Sequence, residues 1–155
     1  MTEWFYKATP ARVSFEETRD LALNDGFICR SAFEDNTSRA DNTQHVQFRD
    51  IIHMYFTGDG PPKVIGTFEV VGPRRHPKAN CFAEAVQGTV LFVVTDEFAK
   101  KLTAMGDGEG CGYKPDPVLK KVIGWAVIAR TDIATPTLAA APFKNQATLA
   151  RGDFR

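Results

Sequence analysis

The alternation of apolar and polar residues along the 155-residue chain predicts several short strands with two helices between them. Runs of aromatic and β-branched residues bounded by Gly, Pro, Asn or Asp are typical of strands. The predicted strands are residues 4–8, 27–31, 50–56, 64–71, 88–94 and 121–130. Because residues 57–63 contain two glycines and two prolines, we expect the third and fourth strands to form a hairpin.

Both predicted helices begin at a residue that can cap a first turn. Ser14 has Glu17 three positions later, which is the spacing of a capping box, and Asp25-Gly26 ends this helix. Thr95 precedes a second helix over residues 96–102, with acids in its first turn and lysines in its last, as the helix dipole favours. Residues 34–47 predict a long polar loop, and the chain after residue 130 predicts an Ala/Pro/Thr-rich tail.

The order of these elements predicts one domain over residues 1–155. A single core is sufficient at this length, and no repeat or linker divides the sequence. Strand, helix and then mostly strands is the pattern of an α+β fold. We therefore expect an α+β domain built on a small curved β-sheet or β-barrel with flanking short helices.

The charge balance changes which partners are plausible. Nineteen Lys and Arg residues balance nineteen Asp and Glu residues, which argues against a strongly basic coat for nucleic acid. The charge is nevertheless graded, from −3 over residues 1–50 to 0 over 51–100 and +3 over 101–155. The richest basic cluster, Arg74-Arg75-His76-Pro77-Lys78, is either a solvated loop or a phosphate-binding loop.

Cysteine usage and hydropathy favour an intracellular protein. Cys29, Cys81 and Cys111 are odd in number and widely spaced, so neither a disulfide framework nor a zinc ribbon is expected. No apolar run approaches the roughly 20 residues that span a bilayer, and the first residues do not resemble a signal peptide. We expect a cytoplasmic location without membrane association, and the sequence leaves the oligomeric state open.

Motifs for catalysis or cofactor binding are absent from the sequence. There is no GxSxG, HExxH, Walker A or GxGxxG pattern, and the three histidines lack the spacing of a metal site, so we expect no cofactor and no metal. Cys29 beside Arg30 is either an activated thiol or a small buried hydrophobe. His53, in a predicted strand, is expected to be outward-facing or hydrogen-bonded rather than a catalytic base.

Seventeen aromatic residues are more than a small core strictly requires. Phe68, Phe92 and Phe98 fall at core-like positions. A second set lies near predicted strand ends and loops, where it is placed to line a pocket for a flat ligand: Tyr6, Phe27, Tyr55, Phe82 and Trp125. Stacking on aromatic faces contributes about 1–3 kcal/mol per base and requires no net positive charge, so it suits a neutral protein.

Three segments in order resemble the EVE domains of the PUA-like superfamily. Residues 4–10, Trp-Phe-Tyr-Lys-Ala-Thr-Pro, resemble the W-L-x-K-S-x-P opening of that family. Residues 49–55 are similar to its G-D-x-v-x-x-Y strand, and residues 65–71 to its v-G-i-g-e-V-v strand. Residues 93–98 resemble a downstream step from strand to helix. Where EVE domains carry a tryptophan and V-R-N, this chain has Phe27-Ile28-Cys29-Arg30-Ser31.

The resemblance implies a PUA-like β-barrel that binds a modified cytosine or adenine of DNA or RNA, as EVE and YTH domains do, by flipping the base into an aromatic pocket. The pocket residues it implies are Tyr6, Lys7, Ala8 and Thr9 along the end of the first strand, Cys29, Arg30 and Ser31 against the base edge, and Phe27, Tyr55 and Phe82 as walls. The residues it implies for phosphate contacts are Arg74, Arg75 and Lys78.

Two other classes of function remain open at this point. ASCH domains are similar in fold, and some hydrolyse acylated cytidines, but their G-x-K-x-x-E-x-R motif has no match here because Gly60-Pro61-Pro62-Lys63 runs into Val64. A protein-interaction domain with a basic loop is the third possibility.

Overall fold

The computed structural model of the chain describes residues 2–8, 13–29, 46–57, 60–72, 77–86, 89–106, 112–116, 119–137 and 149–151. At residues 29, 81–86, 89–91, 125 and 149–151 it describes the backbone alone. The elements in chain order are β1 (Glu3–Ala8), α1 (Phe15–Asp20), a π-helical segment (Leu21–Asp25), β2 (Phe27–Cys29), β3 (Ile51–Phe56), β4 (Lys63–Gly72), β5 (Ala79–Val86), β6 (Thr89–Val94), α2 (Asp96–Ala104), β7 (Ile123–Arg130) and β8 (Leu149–Arg151).

All eight of these strands belong to one mixed sheet. The strand order is β5-β6-β7-β4-β3-β1-β8, and β2 pairs with β7 outside this order. Strands β1 and β3 run parallel, whereas the other pairs within the described chain are antiparallel. The sheet is strongly curled into a half-barrel. The prediction of an α+β fold on a curved sheet is confirmed, as is the hairpin between β3 and β4.

Strand β3 lies between β1 and β4 and is deeply buried. All six of its residues are buried. Side chains alternate between the two faces of a strand, and Ile52, Met54 and Phe56 enter the first core cluster, while His53 and Tyr55 point to the opposite face. Both faces of the sheet are therefore covered at β3.

The hydrophobic core is divided between the two faces of the sheet. Ala126 and Ile128 of β7 belong to the first core cluster, which contains Ile52 and Phe68, whereas Val127 between them belongs to the second. The second cluster packs beneath α2 and contains three large rings, those of Phe27, Phe92 and Phe98. The predicted core positions Phe68, Phe92 and Phe98 are all buried.

The first helix begins as the sequence predicts. Ser14 Oγ accepts a hydrogen bond from the Glu17 amide at 3.1 Å, and Glu17 Oε1 accepts one from the Ser14 amide at 3.2 Å, so the capping box is formed. After Asp20 the backbone widens into the π-helical segment, which ends at Gly26 with a φ of +68°. A β carbon at Gly26 would lie 2.8 Å from the Ile128 carbonyl oxygen, which explains the glycine.

The second helix also begins at its predicted cap. Thr95 Oγ1 accepts a hydrogen bond from the Phe98 amide at 3.3 Å. Phe98 and Leu102 form the buried stripe that places α2 over the second core cluster. The helix runs to Ala104, slightly beyond the predicted end.

Two strands were not predicted. Strand β5 contains Asn80 and Glu84, which weaken its apolar pattern, and β8 is a three-residue strand inside the predicted tail. Strand β8 pairs with β1 from the other end of the chain, as in the register Trp4 to Arg151. Long-range pairing of this kind leaves no local signal in the sequence. The predicted loop over residues 34–47 lies mostly outside the described residues.

Gly124 tests how tightly the second core cluster is packed. A β carbon at Gly124 would lie 2.6 Å from Phe92 Cζ, and Phe92 is itself buried. We expect Gly124→Ala to lower the free energy of unfolding by about 1–3 kcal/mol through overpacking, measured by chemical denaturation. In a protein that already carries Phe92→Leu, Gly124→Ala should lower the free energy of unfolding by less than it does in the wild-type protein, because the smaller side chain leaves room for the β carbon. A fully additive double variant would show that the ring and position 124 do not compete for space.

Candidate functional site

Asp50 connects the first two segments that resemble EVE domains. Its carboxylate is buried and accepts three hydrogen bonds of 2.9 Å, from the Thr2 amide, the Trp4 indole Nε1 and the Gln47 amide. The Asp50 carbonyl also accepts from the Val70 amide at 2.8 Å. The tryptophan of the first motif and the aspartate of the second are therefore bonded to each other across 46 positions of sequence.

The residue before Asp50 has an unusual backbone conformation. Arg49 has a φ of +75°, a region that favours glycine because a β carbon crowds the backbone there. In the EVE pattern a glycine occupies this position. The glycine of the third motif is Gly66, where an added β carbon would lie 3.3 Å from the Phe68 ring. Both positions at which the EVE motifs have glycine are therefore constrained in this chain. The backbone conformation constrains Arg49, and the nearby Phe68 ring leaves little room for a side chain at Gly66.

A chain of polar side chains crosses the face of the sheet opposite the first core cluster. Glu3 Oε1 lies 3.2 Å from His53 Nε2, and His53 Nδ1 lies 2.8 Å from Thr67 Oγ1. Thr67 Oγ1 in turn lies 2.7 Å from Thr135 Oγ1. His53 is 1% exposed, so the expectation of a hydrogen-bonded histidine is confirmed.

A carboxylate, an imidazole and a hydroxyl that are hydrogen-bonded in this order, as those of Glu3, His53 and Thr67 are, can activate the hydroxyl as a nucleophile. Its surroundings do not suit that role. Thr67 is 4% exposed, and Thr131 Oγ1 donates to its carbonyl at 3.0 Å while Thr135 contacts its hydroxyl. The hydroxyl is enclosed by protein groups, so the arrangement is best explained as the attachment of residues 131–137 to the sheet.

Tyr55 makes a second attachment to the same segment. Its hydroxyl donates to the Pro136 carbonyl at 2.6 Å, and its ring lies nearly parallel to that of Phe5 at 6.1 Å. Tyr55 is fully buried, and this burial raises the pKa of its hydroxyl to about 12. Among the contacts described, both the ring and the hydroxyl of Tyr55 are engaged within the protein.

The predicted pocket walls lie in different parts of the fold. Phe27 is 1% exposed and packs on Phe92 and Phe98 at ring distances of 5.3 and 5.0 Å beneath α2. Tyr55 lies on β3, two strands away from β7, with which Phe27 pairs. The described contacts do not bring the two rings together. The side chain of Phe82, the third predicted wall, lies outside the described residues.

Strand pairing does bring part of the predicted rim together. Lys7 pairs with Tyr55 and Ala8 with Phe56 in the parallel register of β1 and β3. Tyr6 is half-buried and packs against the first core cluster, and Ala8 is buried. Lys7 is half-buried. Thr9, which would continue this rim, lies outside the described residues.

The residues predicted to read the base edge are described only in part. The backbone of Cys29 pairs with Gly124 at the end of β2, after a register shift that follows Ile28. The Cys29 side chain lies outside the described residues, as do Arg30 and Ser31. Their proposed role is therefore a matter for experiment.

Of the three predicted phosphate contacts, Lys78 is half-buried and paired with an acid of the same chain. Its ammonium forms an ion pair with Asp25 and lies 5.0 Å from the centre of the Phe98 ring. Lys101 Nζ lies 2.6 Å from the other oxygen of the same carboxylate. Lys78 and Lys101 therefore share one carboxylate. Arg74 and Arg75 lie outside the described residues.

The ion pairs determine the protonation of Asp25. Burial alone would raise the pKa of this carboxyl, but hydrogen bonds from Lys101 and Lys78, together with their charges, hold the pKa below its ordinary value. The same contact raises the pKa of Lys101. Asp25 therefore stays ionised and fastens the π-helical segment to α2 and to the residue before β5.

Neither a metal centre nor a membrane segment is found in the part of the chain that the structure describes. No group of three or more His, Cys, Asp or Glu side chains is arranged to hold a metal ion there. Neither described α-helix is long and apolar enough to cross a membrane.

Asp25 and Asp50 were not singled out from the sequence. Each is a buried acid whose partners come from distant segments, Lys101 for Asp25 and Trp4 for Asp50. The available signal was an acidic residue shortly before an apolar strand, Asp50 directly before β3 and Asp25 two positions before β2. A buried carboxylate at such a place requires several donors.

Comparisons of the chain with models of known protein families, with curated proteins and with solved structures found no match. The resemblance to EVE domains therefore rests on the motif residues of the sequence.

Tyr55 gives a pH-dependent test of the packing beneath residues 131–137. Because its pKa rises from 10.0 to about 12 on folding, the unfolded chain releases the proton first, and stability should fall as the pH rises between these values. We expect Tyr55→Phe to remove this part of the alkaline loss and to cost about 0.5–1.5 kcal/mol near neutral pH, through the lost bond to Pro136. Denaturant unfolding of both proteins across this pH range measures the difference. Parallel curves for the two proteins would contradict the burial of the hydroxyl.

Proposed function

We propose that the chain is an EVE-type domain of the PUA-like superfamily that binds a modified base of DNA or RNA without catalysing a reaction. The observation that carries this proposal is the 2.9 Å bond between Trp4 Nε1 and Asp50 Oδ2. Trp4 belongs to the first of the motifs matched in the sequence, and Asp50 belongs to the second. A direct bond between them gives a physical reason for the motifs to occur together.

Two further features support the proposed family. Arg49 has the positive φ expected where the motif has glycine, and Gly66 has little room for a side chain. The curled, mixed sheet with short helices is also compatible with a PUA-like barrel. If the short motifs matched by chance, there would be no reason for the two positions at which the motifs have glycine to disfavour larger side chains in this chain.

In the proposed binding mode, the free energy of binding comes from a pocket for the base and from contacts with a few phosphate groups. Extruding a base costs a few kcal/mol, which stacking and hydrogen bonds to its edge recover. Lys7 and Ala8, with Thr9 after them, would lie at the rim, and Cys29, Arg30 and Ser31 would read the edge. Phe27 and Tyr55 would support the pocket from within the core rather than form its surface, since both are buried.

The experiment that tests the proposal is a binding screen of the purified protein. The probes are short single strands of DNA and RNA that carry one methylated cytosine, one methylated adenine or only plain bases. The proposal expects at least one modified strand to bind about tenfold or more tightly than its plain counterpart. Equal affinity for all strands would overturn the proposal. Release of acyl or methyl groups when the protein is incubated with modified nucleosides would also overturn it, because it would indicate a hydrolase.

The basic loop gives a separate prediction within this proposal. Reversing the charge of Arg74 and Arg75 together should weaken binding to modified and plain strands alike, and should reduce the slope of log affinity against log salt by about 2, one for each phosphate contact. Affinity is measured by titration over a range of salt concentrations. Lys100→Glu with Lys121→Glu is the matched control, since it makes the same charge change at exposed positions.

An effect of equal size in the control pair would mean that only the net charge of the protein matters. Unchanged affinity of the Arg74 and Arg75 variant would remove the loop from the binding surface, while the pocket would remain to be tested by the screen.

A further inference from the structure

Two large side chains next to Asp50 are exposed although the turn that carries them is tightly held. Phe48 is 43% exposed. Arg49 is also exposed, and its guanidinium carbon lies 5.4 Å from the centre of the Phe48 ring. A stacked cation and aromatic ring thus lie side by side on the surface.

The backbone bonds that hold this turn do not require an arginine at position 49. The φ of +75° is sterically unfavourable for any residue with a β carbon. The contacts that hold the turn come from the backbone, with the Arg49 amide donating to the Val70 carbonyl at 2.8 Å and the Asp50 amide to the Gln47 carbonyl at 3.1 Å. A glycine would form the same bonds with less strain. Among the described residues, the Arg49 guanidinium contacts the exposed Phe48 ring, so the two side chains together enlarge the surface of the turn.

The turn is also rigid enough to serve as a binding element. The Asp50 carboxylate fixes it from within through the Gln47 amide and attaches it to the start of β1 through Thr2 and Trp4. A surface held in one conformation before binding loses less entropy when a ligand docks. Phe48 and Arg49 are thus presented on a preorganised turn.

We propose that Phe48 and Arg49 form a second contact with the single-stranded nucleic acid, in which Arg49 binds a phosphate and Phe48 stacks on a neighbouring base. A guanidinium offers several donors in a plane that matches phosphate oxygens, and an aromatic face accepts any base. The pair therefore fits a flexible polyanion that carries flat rings. This inference rests on the proposed function, because it assumes that the protein binds nucleic acid.

The strand pairing determines which nucleotide this contact would hold. Because β1 and β3 are parallel, the turn before Ile51 lies at the opposite end of this strand pair from Lys7 and Ala8. Strands of six residues are about 17–20 Å long. The phosphate at Arg49 therefore belongs to a nucleotide that flanks the flipped one, and the contact is indifferent to the modification.

The test compares the full chain with three variants, Arg49→Gly, Phe48→Ala and the control Arg19→Ala, which removes an exposed arginine from α1. The probes are fluorescently labelled single strands of DNA and RNA, plain or with one central methylated cytosine. We expect Arg49→Gly to weaken binding about tenfold on plain and modified strands alike and to lower the salt slope by about 1. Phe48→Ala should weaken binding about fivefold or more, and Arg19→Ala should leave it unchanged.

Thermal unfolding supplies a second readout. Arg49→Gly should raise the melting temperature by about 2–4 °C, because it relieves the strained backbone. A variant that is more stable yet binds more weakly would assign the side chain to binding. Unchanged affinity and salt slope for Arg49→Gly, or an equal loss for Arg19→Ala, would overturn the inference.

The outcomes also separate this inference from the proposed function. Equal wild-type affinity for plain and modified strands, with weaker binding by Arg49→Gly, would overturn base recognition and support the Arg49 contact. If the wild-type protein binds modified strands more tightly than plain ones but Arg49→Gly has no effect on affinity, base recognition would be supported and the Arg49 contact would be overturned. If the wild-type protein bound none of the strands, both proposals would be wrong.

Discussion

The buried carboxylate of Asp50 joins the start of β1 to the turn that precedes β3. It accepts hydrogen bonds from the Thr2 amide, the Trp4 indole and the Gln47 amide, and its main chain bonds to Val70. A carboxylate taken out of water requires donors of this number, and their positions in turn determine where β1 begins beside β3. These bonds hold the start of β1 beside β3, and the parallel register of the pair places Lys7 beside Tyr55.

Around this centre, each face of the sheet is covered by a different part of the chain. Helix α2 covers one region through Phe98 and Leu102, and residues 131–137 are attached over β3 and β4 through Thr67 and Tyr55. Phe27 and Tyr55, which the resemblance to EVE domains places on the walls of a pocket, are therefore packed within the protein. In the proposed function, the pocket surface is then supplied by residues near the strand ends, and the buried rings keep those ends in place.

Much of the fold was predictable because its signals are local. The capping box at Ser14, the cap at Thr95 and the hairpin between β3 and β4 each depend on residues within a few positions of one another. Strand β8 was not predictable, because its three residues are held by β1 rather than by their own pattern. The same reason applies to the site. Lys78 looked like part of a basic loop, but its partner Asp25 lies 53 positions earlier in the chain.

The bond between Trp4 and Asp50 joins two distant segments of the chain into one structural unit. A double-mutant cycle measures this coupling, with the free energy of unfolding determined for the wild-type protein, Trp4→Phe, Asp50→Asn and the double variant by circular dichroism in denaturant. We expect each single change to destabilise the protein and the two changes to be coupled by about 1–3 kcal/mol. Losses that add to within about 0.5 kcal/mol would contradict this expectation, because the two residues would then stabilise the fold independently.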